Sequence, residues 1–232
     1  MTRTFHDRKT ILEIMVEELL SSFDRKRIVI ATSTANADDA IESLAENLDV
    51  ECSRGSEEDV LDRVWHAVKT RNATRVARVC ADNPFLRASF LEELLAVEDK
   101  HDYASFQLAD GTPTILSHLG LFAEIVAFDT LAKLQKTAVS KRHREHLTSH
   151  ILDKPADYQR CFLDVPEYIS SVANLRLTVD TELDFLTSQQ LFELTTSSFG
   201  PRFSAEQLMS VVQSQPSLLE NMSSEIAANA KG

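Results

Sequence analysis

The stretch Arg75–Leu86, RVARVCADNPFL, constrains the chain more than any other. Its apolar positions Val76, Val79 and Cys80 read as a short strand that runs into Asp82. Pro84 cannot donate to a ladder and biases Asn83 toward an extended conformation, so the strand stops here. A helical pattern begins soon after, at Ala88-Ser89. Asp82 is therefore expected where a buried strand ends and its carboxylate can face solvent. In an open α/β sheet, ligands bind in the crevice beyond the carboxyl ends of the strands.

Strand and helix patterns alternate up to about residue 100. Thr10 and Glu13 form a capping box ahead of a helical face of Ile11, Leu12, Met15, Val16, Leu19 and Leu20. KRIVIA (Lys26–Ala31) reads as a strand ending in Thr32-Ser33-Thr34, and Asn36 or Asp38 can cap the helix DDAIESLAENL. A brief strand at Val50–Cys52 leads to Gly55-Ser56, which opens the helix SEEDVLDRVWHAVK. The pattern predicts a mostly parallel sheet covered on both faces.

From about Tyr103 the rhythm changes. YASFQL and LFAEIVAF read as strands, followed by helices at Asp129–Ala138 and Arg144–Leu152. Arg160–Leu163 and Leu175–Val179 read as strands, the second ending at Asp180. Thr181 caps a helix over Glu182–Thr195, Pro201 breaks the chain, and helices over Ser204–Val212 and Pro216–Ala228 close it. The apolar run LFAEIVAF, if exposed, would favour a dimer.

The net charge of −12 repels phosphate backbones and makes nucleic acid a poor partner. Five glycines, none clustered, provide no glycine-rich phosphate cradle. The three cysteines (Cys52, Cys80 and Cys161) lack metal or disulfide spacing, the N-terminus lacks an apolar leader, and no apolar run reaches membrane-spanning length. A reduced, cytoplasmic protein is expected.

Several residues could carry chemistry. Asp180 repeats the pattern of Asp82, and two carboxylates at neighbouring strand ends can hold magnesium with phosphate oxygens and water. The bland alternative is that each is a strand-end or helix-capping aspartate, a common position. Arg54-Gly55-Ser56 precedes a helix and reads either as a phosphate-receiving turn or as a turn glycine with a serine cap. Arg144-Glu145-His146, beside Lys141, Arg142 and His143, is either a solvated helix start or an anion-binding edge. Glu124, inside an apolar strand, lies on a solvent face or in a site. Cys80 and Trp65 read as core. No Ser/His/Asp or Cys/His arrangement has recognisable spacing.

Together these segments resemble the cytidylyltransferase family of the spore-coat polysaccharide biosynthesis type, related to acylneuraminate cytidylyltransferases. The resemblance runs through IVIATSTANADDAIESLAENLDVECSRGSEEDVLDRVWHAV, RVARVCADNPFL, GLFAEIVAF with FDTLAK, REHLT and LRLTVDTELDF, covering most of residues 10–195. It implies a Rossmann-like three-layer α/β/α nucleotidyltransferase sheet with a small β-containing subdomain and C-terminal helices, often dimeric through that subdomain. The whole chain, 1–232, would be a single nucleotidyltransferase-like domain. Residues 10–100 would form its nucleotide-binding half, 101–175 an acceptor and dimerisation subdomain, and 176–232 the returning strand and C-terminal helices.

The resemblance implies that Asp82 and Asp180 hold magnesium and act in catalysis. It implies that Ala31, Thr32, Ser33, Arg54, Gly55 and Ser56 lie near the nucleotide, and that Glu124, Arg144, Glu145 and His146 lie near a sugar acceptor. The implied reaction is attack of an acceptor hydroxyl on the α-phosphate of CTP, giving a CMP-sugar and pyrophosphate. A catalytically silent homologue binding a ligand or partner in the same pathway is the alternative. Relative to the family pattern, Ala81 replaces a glycine and Phe122 replaces an aspartate. The sequence begins beyond the family's first strand and its phosphate-binding loop. That strand is central in the sheet, so the strands near Ile28 and Val76 are expected to close up and pair, or to receive a strand from a partner.

Overall fold

The structure is a computed structural model that describes residues 2–229. A hairpin that sequence reading missed opens the chain, β1 (Thr4–His6) and β2 (Lys9–Thr10). It turns on Asp7 and Arg8, both at positive φ, and buries Phe5 edge-on against Phe185 and Phe192. The expected capping box then starts α1 (Ile11–Leu20): Glu13 N donates to Thr10 Oγ1, and Thr10 N donates to Glu13 Oε2.

The alternating half follows as β3 (Val29–Ser33), α2 (Asp39–Asn47), β4 (Glu51–Gly55), α3 (Val60–Val68), β5 (Arg75–Arg78) and α4 (Ala88–Leu95). Next come β6 (Tyr103–Gln107), β7 (Glu124–Ala127), α5 (Phe128–Thr137), α6 (Lys141–Glu145), α7 (Ser149–Asp153) and β8 (Arg160–Asp164). The chain ends in α8 (Glu167–Ser170), α9 (Glu182–Phe199), α10 (Ala205–Gln213) and α11 (Pro216–Ala228).

The fold class is α/β, as expected, but the pairing is mixed rather than mostly parallel. β3 and β4 pair in parallel, and a separate four-stranded sheet has the order β5-β7-β6-β8. In it, β7 runs antiparallel to both β5 and β6, while β8 is parallel to β6. Between β6 and β7 lies a loop with one 3-10 turn and no crossover helix, so the chain returns antiparallel.

Four further expectations are corrected. β3 and β5 do not pair: the sheet stays split between them. LRLTV is extended but joins no ladder. Its Leu177 and Thr178 amides donate to His118 O, and its Val179 amide donates to Asp82 O. Gly120 makes this close passage possible, with φ at +59° and Leu177 O only 2.8 Å from where a Cβ would stand. LFAEIVAF is interior, with Leu121, Ile125 and Val126 buried, so it offers no exposed face for a dimer. Finally, Gly55 ends β4 rather than opening a helix; α3 begins at Val60, capped by Asp59.

Helices cover both faces. Leu12 and Val16 of α1 pack with Ile28, Ile30 and the α2 residues Ile41 and Ala45. Ile11 and Met15, also from α1, join the largest core, with Phe85, Phe90, Phe106, Ile125 and Phe192. On the opposite face, Leu61 of α3 packs with Tyr103, Val126, Leu131 and Leu147. α1 and α3 thus each span both sheets.

Candidate functional site

The two aspartates singled out in the sequence are brought together by backbone. Val179 N donates to Asp82 O at 2.9 Å, which sets Asp180 beside Asp82. Asp82 lies past the end of β5 and lines a cavity of about 70 Å³ together with Thr114, Ser117, Gly120 and Thr178. Asp180 Oδ2 accepts from Thr178 Oγ1 at 3.1 Å and from Arg176 Nη2 at 2.9 Å. Its side chain is 40% exposed, against 1% for Arg176.

Arg176 is the residue that sequence reading missed. It grips Asp184 with two bonds of 2.6 Å and reaches His118 Nδ1 at 2.6 Å. Asp184 also accepts from the Asp180 and Thr181 amides, at 3.0 Å each, in the capping box of α9. Burial would push the Asp184 carboxyl up, but Arg176 and these amides hold it below the ordinary aspartate value. The spacing Arg176, Asp180, Asp184 was a legible signal, since four-residue steps bring side chains together on one helix face. The real geometry uses that spacing across a turn into α9.

Beyond β3, Asp38 organises the loop. Its Oδ2 accepts from Thr32 Oγ1 (2.8 Å), Ser33 N (2.9 Å) and Ser33 Oγ (2.6 Å). Those bonds, Ser33 and Thr32 foremost, lower the Asp38 carboxyl below its ordinary value. Asp38 stands at the N-cap position of α2, as read from the sequence, yet its side chain bonds backward into the strand and gives the helix no cap hydrogen bond. Thr32 and Ser33 are buried, and Ala31 is partly exposed. Arg54 is committed to the same loop through the Ser33 and Ala35 carbonyls and through Asp39 and Glu42. Gly55 lets α3 approach: a Cβ there would meet Arg63 backbone and side chain at 3.1–3.2 Å. Ser56 Oγ receives the Asp59 amide at 3.0 Å.

Glu124 is neither a surface residue nor open to a ligand. It is 1% exposed and accepts from Arg78 Nη1 (2.7 Å), Tyr103 Oη (2.7 Å) and Thr148 Oγ1 (3.2 Å). This corrects its expected role as a sugar contact, because three internal donors occupy it. Burial opposes the charge on Arg78, but Glu124 outweighs that and raises its pKa. Arg144 clasps the Asp59 cap of α3 through Nε (2.9 Å) and Nη2 (2.5 Å) and bonds Gln135 Oε1 at 2.5 Å. Glu145 and His146 are exposed. Phe122, at the family's aspartate position, is buried between Phe90 and Phe106, with centroids 4.6 Å from each.

The oxygen donors at the cavity are the Asp82 carboxylate and the Thr114, Ser117 and Thr178 hydroxyls, with Cys80 and Asn83 also in its lining; the Asp180 carboxylate follows the Val179–Asp82 bond outside that lining. Hard divalent cations prefer such a set, and magnesium in particular takes one or two carboxylates and fills the rest with phosphate and water. The residues fit that group. Among the described residues no three His, Cys, Asp or Glu side chains gather as a protein-only metal cage. No helix among them is long and apolar enough to cross a membrane.

A family model described as Cytidylyltransferase matches residues 7–223. The spore coat polysaccharide biosynthesis protein SpsF of Bacillus subtilis is 29% identical over 211 residues, covering 89% of this chain and 84% of its own. The uncharacterized protein MJ1063 of Methanocaldococcus jannaschii is 36% identical over 191 residues, covering 80% of this chain and 75% of its own. A cytidylyltransferase structure from Leptospira borgpetersenii superposes with a TM-score of 0.79 at 24% identity, over 94% of this chain and 88% of that one. A CMP:2-keto-3-deoxy-manno-octonic acid synthetase complexed with CTP superposes at 0.57 with 13% identity, over 81% and 89%. The last two likenesses are likenesses of fold.

Proposed function

This chain belongs to the cytidylyltransferase family, and from that premise we propose that it transfers CMP from CTP to a sugar acceptor used in surface polysaccharide or nonulosonic-acid activation. The observation that supports the reading is the Val179–Asp82 backbone bond, which brings the Asp180 segment to Asp82 beside a small cavity that holds the Asp82, Thr114, Ser117 and Thr178 oxygens. The name of the SpsF relative supports the polysaccharide class of acceptor.

In this reading Asp82 and Asp180 would hold magnesium, whose charge would offset that of the phosphates. The acceptor hydroxyl forms a new P–O bond at the α-phosphate, the α–β bridging P–O bond breaks, and pyrophosphate leaves. Arg176 aims Asp180 through its Nη2 bond, and Asp184 in turn fixes Arg176. Ala31, Thr32, Ser33, Arg54, Gly55 and Ser56 shape the nucleotide side mainly through the Asp38 and Arg54 bonds that set the loop beyond β3. The exposed Glu145 and His146 remain candidates for contact with the acceptor, with Arg144 holding their helix against α3.

Incubation with CTP, magnesium and candidate acidic sugars, read by pyrophosphate release, tests this. Release is expected, and Asp82→Asn should cut it by at least ~100-fold, since even outer-shell partners of a metal cost ~10–100-fold. A second reading, a silent homologue that binds a ligand or partner, is favoured by the commitment of Arg54, Thr32 and Ser33 to internal bonds. CTP binding without release, across the sugar panel, would decide for it.

A further inference from the structure

Arg87 stands just before α4 and is buried, only 6% exposed. Its Nη1 donates to Glu18 Oε2 at 2.9 Å, and Glu18 Oε1 accepts the Ala88 amide at 2.9 Å. Its guanidinium carbon lies 4.1 Å from the centroid of the Phe203 ring. Nε and Nη2 are buried and have no hydrogen-bond partner among the described residues. These two nitrogens form the side-on fork of a guanidinium, which takes a carboxylate through two parallel bonds.

The same fork is filled elsewhere in the molecule. Arg176 Nε and Nη2 hold the two oxygens of Asp184 at 2.6 Å each, and Arg144 Nε and Nη2 both close on Asp59 Oδ2. The electrostatics follow the filling. Its bonds to Asp184 raise the Arg176 pKa, and Glu124 outweighs burial at Arg78. At Arg87 burial outweighs Glu18, and the pKa falls. A buried guanidinium with an empty fork lacks the bonds that would offset its desolvation.

Arg87 lines a cavity of about 430 Å³ walled by residues of α1, α4, α8 and α10. That volume lies within the ~300–1,000 Å³ of small-molecule sites. The cavity shares no lining residue with the one at Asp82. Phe90, Phe203 and Ala205 give it an apolar wall. With Glu18 paired to Arg87, its exposed lining carries Glu92, Glu93 and Glu206 against Arg202. Glu93 and Glu206 meet at Tyr168: burial, then the charges of Glu206 and Glu93, push that phenol up to about 12. An anion alone would face this surplus of carboxylates, whereas an ammonium group beside the anion offsets it.

We propose that this cavity binds a free α-amino acid with an apolar side chain, its carboxylate on the Arg87 Nε/Nη2 fork and its ammonium toward Glu93 and Glu206. The side chain would lie against the Phe90 wall. The site is separate from the cavity at Asp82, and the proposal does not depend on CMP transfer.

The test is calorimetric titration of the full chain with L-leucine, with isocaproate, which lacks the ammonium, and with isopentylamine, which lacks the carboxylate. Leucine should bind, and each single-charge analogue should bind at least ~10-fold more weakly, because a charge-assisted contact is lost. Arg87→Lys keeps a cation facing Glu18 but has no fork, and should weaken leucine at least ~10-fold. Glu93→Gln, at an exposed position, should weaken leucine ~3-fold or more and leave isocaproate unchanged. A readout that needs no substitution is the Arg87 Nε–H resonance of the wild-type chain, which should shift and exchange more slowly when leucine is added. Isocaproate binding as tightly as leucine would make the cavity a plain anion site and overturn the proposal. So would the absence of leucine binding, an unchanged affinity in Arg87→Lys, or an Arg87 Nε–H resonance that leucine leaves unmoved.

Discussion

The surroundings of Asp82 and the edge of β3 are built in opposite ways. Near Asp82, irregular segments are fixed by backbone bonds and by a buried charge cluster: Val179 to Asp82, Leu177 to His118, and Arg176 to Asp184. Along β3, regular secondary structure has one side unpaired among the described residues. Regularity is thus a poor guide to completeness here. The stretch without a ladder is fully tied down, and the stretch with a ladder is half open.

The largest expected effect lies on the tied side. Arg176→Ala leaves Asp184 buried without its cation and should cost ~3–5 kcal/mol, read as a fall in denaturant midpoint at unchanged slope. A loss under ~1 kcal/mol would show that the cluster contributes little. Gly120→Ala should cost ~2 kcal/mol or more, because a methyl would meet Leu177 O in a left-handed backbone. A neutral result would mean that the LRLTV segment lies farther off.

A smaller pair of substitutions compares the two regions directly. Ala77 and Ala104 flank Ile125 in register, one on the open edge and one inside the sheet. Ala104→Val should overpack a buried position and cost ~1–3 kcal/mol, whereas Ala77→Val should stay within ~0.5 kcal/mol. Equal costs would erase the distinction.

The smallest effect is in pH. The folded-state pKa of Asp184 is held below its unfolded value, so its contribution is full above the ordinary aspartate range. It is lost as pH falls through the lower folded value, and Asp184→Asn should flatten the acid limb of the stability curve. An unchanged acid limb in that variant would deny Asp184 its share.

Much of this was legible in sequence because it depends on local rules. The capping box at Thr10 was read from a hydroxyl and an acid three residues apart, and the Thr181 cap from a strand-to-helix change. Asp82 was placed by Pro84 and by the end of an apolar run. The rest depends on tertiary pairing. Nothing local distinguishes LFAEIVAF on an edge from LFAEIVAF in the interior, since both read as apolar. Glu124 looked like a site residue because its compensating donors, Arg78, Tyr103 and Thr148, come from three other segments. LRLTV has a strand's composition, yet it meets a carbonyl from His118 and one from Asp82 instead of a neighbouring strand.

Amide exchange in the chain alone tests the contrast between the regions most directly. The prediction is alternation: Ala77 and Ala31 should exchange at least ~100-fold faster than Val76 and Ile30, while the Val179 amide, bonded to Asp82, stays protected despite lying in no ladder. Uniform protection along β3 and β5, or a freely exchanging Val179, would contradict it.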